Sequence, residues 1–262
     1  MKKTAVFGLL LLLLLPAPYI HGAEAEDISP VLKALETPFK GGDAQKGKGP
    51  STIVDFQADF LQESLIASLD RAQRGKGKVS VKFDRTKTEG VPLTKFRWEY
   101  QAPDNQEIVS DGNTMWVYLP ENGQVIVSDL DLSSPSRPND PVTFLTGLGN
   151  LSRDFTVTWA SPDRDAEGNY ILELQPKHSS AMIERMLIVV ARESVRQAGA
   201  DSKPVFPMLS TTVYDPSGNR TIIEFRNVLV NRSLPDSFFQ FTPPDGVEVL
   251  RSTGMGSGFQ AQ

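Results

Sequence analysis

The sequence predicts a mainly β protein built on an antiparallel sheet, and three observations predict it. The first is alternation. Val79, Val81 and Phe83 oppose Ser80 and Lys82; Phe96, Trp98 and Tyr100 oppose Arg97 and Glu99; Phe155, Val157 and Trp159 oppose Thr156 and Thr158. Successive strand residues point to opposite faces, so each of these runs has one apolar face. The second is turn chemistry: Asp111-Gly112-Asn113 and Asp215-Pro216-Ser217-Gly218-Asn219 each separate two such runs and read as hairpin turns. The third is spacing, with about ten or eleven runs at the intervals expected of sandwiches and barrels.

Taken in order, the chain opens on Lys2-Lys3, an apolar stretch from Ala5 to Leu15, and Pro16-Ala17-Pro18. The apolar stretch is too short to span a bilayer, so residues 1–25 read as a secretory signal peptide. The small-x-small site is Ala23-Glu24-Ala25, with cleavage before Glu26 or after Ala23. Residues 26–50 read as an N-terminal helix and a flexible loop. Val31, Leu32 and Leu35 lie at helical spacing, and Gly41 to Pro50 is rich in Gly and Lys. The sheet domain is expected over residues 51–250. It is interrupted by a Ser- and Pro-rich loop from Ser133 to Pro141, then by a short apolar helix from Val142, ended by Gly147 or Gly149. Met186 to Val190 and Ile222 to Val230 are apolar on both parities, which places them centrally or under another layer. Residues 251–262 read as a disordered tail.

Composition removes several classes of chemistry. Cysteine is absent, which excludes disulfides, thiolate catalysis, Cys-ligated metals and a lipid-modified cysteine after the signal. A net charge of −5 argues against nucleic acid and against tight docking on an anionic membrane. His178 is the one histidine beyond the signal, in the polar run Lys177-His178-Ser179-Ser180, and no Gly-x-Ser-x-Gly elbow accompanies it. Asp129/Asp131 and Asp163/Asp165 are carboxylate pairs, but they fall in loops where solvated acids are routine. The reading is of a protein that is not an enzyme and carries no cofactor or metal.

The stretch Phe96-Arg97-Trp98-Glu99-Tyr100, Pro103, Ile108-Val109-Ser110-Asp111-Gly112-Asn113-Thr114-Met115-Trp116-Val117-Tyr118 and Gln124 to Val127 resembles the signature of the bacterial outer-membrane lipoprotein carrier proteins of the LolA type. Phe239-Gln240-Phe241-Thr242-Pro243-Pro244-Asp245-Gly246-Val247-Glu248-Val249 resembles that family's closing motif. The resemblance implies an incomplete, open antiparallel β-barrel of about eleven strands, with short helices forming a lid over a hydrophobic cavity. It implies a periplasmic, monomeric carrier that holds the acyl chains of lipoproteins, loaded by an inner-membrane ATP-driven release complex and unloaded by an outer-membrane receptor. Phe83, Phe96, Trp98, Trp116, Phe144, Leu145 and Leu148 are then the expected cavity residues. An arginine at the end of a strand closes the lid in this family, which implies Arg85, in phase with Val79, Val81 and Phe83. Arg97 is the alternative, because Thr86 to Val91 are inserted before Pro92.

Two other functions fit the same pattern: a periplasmic lipoprotein-binding sensor, and a paralogous carrier of another lipid. A sensor usually carries a second domain, for which this chain has little room. N-terminal sequencing of the exported protein should begin at Glu24 or Glu26. An exported form that retains Lys2 and Lys3 contradicts the signal assignment.

Overall fold

Hairpin turns and strand alternation build one twelve-stranded sheet. The computed structural model describes residues 27–40, 52–84, 93–130, 148–149, 151–180, 182–198 and 204–252. The strands are β1 (Asp55–Ile66), β2 (Arg71–Asp84), β3 (Leu93–Ala102), β4 (Gln106–Ser110), β5 (Thr114–Leu119), β6 (Gln124–Asp129), β7 (Phe155–Arg164), β8 (Tyr170–Pro176), β9 (Arg185–Val190), β10 (Met208–Tyr214), β11 (Arg220–Val230) and β12 (Glu248–Ser252). They lie side by side in the order β12-β6-β5-β4-β3-β2-β1-β11-β10-β9-β8-β7. The terminal strands β12 and β7 do not pair with each other, so the sheet is open and does not close into a barrel. The strand beyond the expected eleven is β12, which pairs parallel to β6, whereas the other neighbours run antiparallel.

Short helical pieces accompany the sheet. Helix α1 (Ser29–Glu36) starts with Pro30 in its first turn, where a missing N–H costs nothing, and buries Val31, Ala34 and Leu35. A 3₁₀ turn, Thr37–Phe39, follows it and buries Phe39. A single helical turn α2 (Leu151–Asp154) precedes β7, and α3 (Arg192–Gln197) follows β9 and lies against α1.

Two turns share one chemistry, read from Asp165-Ala166-Glu167-Gly168-Asn169 and Asp215-Pro216-Ser217-Gly218-Asn219. In each, one carboxylate oxygen accepts backbone N–H groups two and four residues on, and the other accepts the Asn amide. Each glycine has a positive φ, which a Cβ disfavours. The Asn carbonyls then reach beyond their own turns: Asn169 accepts from Arg192 N and Asn219 from Ala67 N, holding α3 and the β1–β2 tip in place.

Register defines two faces, since directly paired residues share a face. Phe56, Val81 and Phe96 line up on the inner face, as do Ala58, Val79, Trp98, Ile108 and Val117. Gln57, Ser80, Arg97, Val109, Trp116 and Val127 line up on the outer face. The main core lies on the inner face, where Val31, Leu35 and Phe39 pack against the sheet together with Phe206, Leu148 and Leu151.

Two glycines in β2 shape that face. A Cβ on Gly77 would stand 1.9 Å from the Glu99 carbonyl oxygen and 2.9 Å from the Phe60 ring, at the point where the β2–β3 register shifts. A Cβ on Gly75 would meet the Tyr100 ring and the Ala102 carbonyl oxygen at 3.5 Å, an ordinary contact. Gly77→Ala should therefore destabilise the fold by about 1–3 kcal/mol in urea unfolding, while Gly75→Ala stays within about 0.5 kcal/mol. Equal effects of the two substitutions contradict the close approach at Gly77.

Candidate functional site

The inner face is graded along β1, where Phe56, Ala58, Phe60, Gln62 and Ser64 alternate onto it over about 26 Å at ~3.3 Å per residue. At the Phe56 end stands an aromatic cluster. Phe39 packs on Phe83 (ring centroids 5.3 Å apart) and on Phe206 (6.0 Å), and Phe206 on Phe56 (4.6 Å) and Phe225 (6.0 Å). In the middle, Phe60 makes edge contacts with Trp98 and Tyr100, both at 4.9 Å. At the far end the face turns polar. The Tyr100 hydroxyl donates to Gln62 Oε1 (2.8 Å), Gln62 Nε2 donates to Ser64 Oγ (3.1 Å), and Ser64 Oγ lies 3.2 Å from Thr221 Oγ1.

Among the described residues, the cover over the aromatic end includes α1, Phe39, and Leu148 and Leu151, which are buried beside them. Gly149 lets this cover close up, because a Cβ there would stand 2.9 Å from the Phe39 carbonyl oxygen. Glu36, 5% exposed, ties the pieces: its carboxylate pairs with Lys40 at 2.9 Å and accepts from Ser152 N at 3.3 Å.

Of the residues expected to form the cavity, the structure gathers Phe83, Phe96, Trp98 and Leu148 into this inner core. Phe144, Leu145 and Arg85 lie outside the described residues. Trp116 is a correction: register puts it opposite Val109 and Val127, on the outer face, away from Phe96 and Trp98. Arg97 as the lid latch is corrected for the same reason, since one residue along a strand changes the face. Its guanidinium donates to Glu107 Oε2 at 2.5 Å and to the Phe238 carbonyl at 3.4 Å, lies 3.5 Å from Glu99, and sits 5.4 Å from the Phe238 ring centroid. It fastens the C-terminal segment to the outer face. Sequence reasoning missed Phe39, Phe60, Phe206 and Phe225. The period-2 signal at Phe56 and Phe60 could have found two positions on β1, whereas Phe39 and Phe206 belong to no strand.

The outer face carries its own smaller apolar layer, with Val109, Val125 and Phe239 fully buried and Tyr118 packed on Phe241 at 5.6 Å. The segment after β11 crosses it from a firm anchor. Asp55, 2% exposed, accepts from Arg232 N (2.6 Å) and Leu234 N (3.2 Å), and Asn231 pairs through its side chain with Val54 N and the Thr52 carbonyl. Further along, Asp236 bridges Lys82 (2.7 Å) and Lys95 (3.1 Å), and Lys82 also donates to the Leu234 carbonyl.

No group of three or more His, Asp or Glu side chains that could hold a metal occurs among the described residues. His178 is exposed in the loop after β8. Asp165 is engaged in its turn: burial pushes its carboxyl up, but hydrogen bonds from Asn169, Glu167 and Gly168 outweigh this and hold it below the usual range. No helix of the described residues is long and apolar enough to cross a membrane.

The family profile described as "Outer membrane lipoprotein carrier protein LolA" matches residues 51–242, and the chain belongs to this family. It is 30% identical to an outer-membrane lipoprotein carrier protein of Nitrosospira multiformis, over 74% of this chain and 81% of that one. It is 26% identical to the one of Chromohalobacter salexigens, over 78% and 83%. Among solved structures, a LolA superfamily protein from Nitrosomonas europaea aligns over 81% of this chain and 97% of its own, with 16% identity and a TM-score of 0.37.

Hydrogen bonds from Lys82, then Lys95, hold the Asp236 carboxyl below its ordinary value. Its contribution to stability is thus complete above the unfolded value of about 4 and disappears as pH falls through the lowered folded value. Because Asp236 is largely exposed, the contribution should be below about 1 kcal/mol. Asp236→Asn should flatten the acid limb of the stability–pH curve below about pH 4; an unchanged limb contradicts the bridge.

Proposed function

We propose that this protein carries the acyl chains of lipoproteins through the periplasm, taking them up at the inner membrane from an ATP-driven release complex and delivering them to an outer-membrane receptor. The signal-like residues 1–25 are the export device, and the protein catalyses no reaction. Membership of the carrier family supports the cargo class. The observation that carries the reading is the apolar inner face, covered at its aromatic end, among the described residues, by α1 and its flanking turns and not by a second sheet.

Magnitudes favour an exchangeable cover. Burying Val31, Leu35 and Phe39 against the sheet stabilises α1 and the turn after it by roughly 5–9 kcal/mol, at about 1.5–3 kcal/mol per large side chain. Removing a ~16-carbon chain from water contributes about 12 kcal/mol at ~0.8 kcal/mol per CH₂. An acyl chain can therefore displace α1 with a modest net gain, which is what a carrier that must also release its cargo requires.

A fluorescent fatty-acyl probe should bind the purified mature protein and be displaced by an acylated lipoprotein, but not by the same lipoprotein stripped of its acyl chains. Mass spectrometry of the protein isolated from periplasm should find acylated peptide. Phospholipid in its place moves the reading to a paralogous carrier of another lipid, and displacement by the stripped protein overturns acyl recognition.

A further inference from the structure

Trp98 is 2% exposed, and its indole N–H is buried with no hydrogen-bond acceptor among the described residues. A buried donor left unpaired is destabilising, and native proteins seldom keep one without a use. The described side chains around it are apolar. Trp98 stands between Val79 and Ile108 on the neighbouring strands, with the Phe60 ring against it. Phenylalanine at this position would fill apolar space without the orphan donor.

The position of Trp98 along the gradient suggests what the donor is for. On one side lies the wholly apolar cluster of Phe39, Phe56, Phe83 and Phe206. On the other, two residues along β3, begins the polar row that runs from Tyr100 through Gln62 and Ser64 to Thr221. A fatty acyl ester has the same order of chemistry, a hydrocarbon tail ending in a carbonyl and then a polar linkage.

We propose that Trp98 Nε1 is the carbonyl-recognising donor of the inner face: it hydrogen-bonds the ester carbonyl oxygen of a bound acyl chain whose tail lies in the aromatic cluster and whose linkage faces the polar row. This rests on the carrier reading and adds to it. A purely apolar face would accept any hydrocarbon in any direction, whereas one donor at the apolar–polar boundary fixes which end enters and how deep. The donor is buried, 2% exposed with its residue, so a carbonyl-free ligand leaves it without the bond an ester supplies.

The test compares two pyrene-labelled ligands of equal chain length, a hexadecanoate methyl ester and the corresponding hydrocarbon, on wild type and W98F. The ratio of ester to hydrocarbon affinity should fall about five- to tenfold in W98F, the worth of one hydrogen bond. Packing changes affect both ligands and cancel in the ratio. A second measurement needs no variant: in protein labelled with ¹⁵N-tryptophan, the Trp98 indole proton should move downfield with the ester and not with the hydrocarbon. Binding of both ligands with an unchanged ratio and an unmoved indole proton overturns the role of Trp98 and leaves the carrier reading intact. Failure of wild type to bind either ligand overturns both.

Discussion

A sheet that is apolar on both faces and open at both edges must be covered twice, and the rest of this structure follows from how the two covers differ. The outer cover is the chain itself. It leaves β11, is caught by the buried carboxylate of Asp55 and the side chain of Asn231, and crosses Val109 and Val125 with Phe239 before returning as β12. Charged contacts from Lys82, Lys95 and Arg97 fasten it along the way. Replacing such a cover would strip the buried Asp55 carboxylate of the Arg232 and Leu234 N–H groups it accepts from, and a buried charge is costly to leave unpaired. Among the described residues the inner cover is held largely by apolar burial, with Glu36 accepting from Ser152 N and the Pro38 carbonyl from Ile53 N. Apolar burial is non-directional, so a ligand of similar chemistry can substitute for it.

This asymmetry divides the labour between faces. On the outer face the segment after β11 is fastened to β1, β2 and β3 and ends in β12, which extends the sheet beyond β6. The inner face is free to exchange one apolar partner for another. Gly77 belongs to the same arrangement: it lets Phe60 and the β3 backbone approach closely, so that Phe60 packs edge-on against Trp98 and Tyr100.

Much of this was legible in the sequence. The alternation at 79–83 and 96–100 identified strands whose inner residues the structure confirms, and Asp111-Gly112 and Asp215 to Asn219 were correctly read as turns. The face of Trp116 was not legible, for a physical reason. Met115, Trp116, Val117 and Tyr118 are apolar at both parities, as are Val125, Ile126 and Val127, so period 2 assigns no direction, and only the pairing of Trp116 with Val109 and Val127 decides it. Arg97 differs: an arginine between Phe96 and Trp98 must lie on the other face, which the alternation itself implied and the pairing with Ser80 and Val109 bears out. The parallel β12 was read as a closing motif, since five residues give no sign of strand direction. Phe39 and Phe206 reach the core from outside the strands, where no periodicity marks them.

The central claim is that cargo chains occupy the inner face and leave the outer face untouched. A lipoprotein whose acyl chain carries a photoactivatable diazirine, irradiated in complex with the native protein and mapped by peptide mass spectrometry, tests it without altering a residue. The account predicts label on the inner-face residues of β1, β2 and β3, among them Phe60, Val81 and Trp98, with none on Val109, Trp116 or Phe239. Label concentrated on Val109, Trp116 and Phe239 would contradict it.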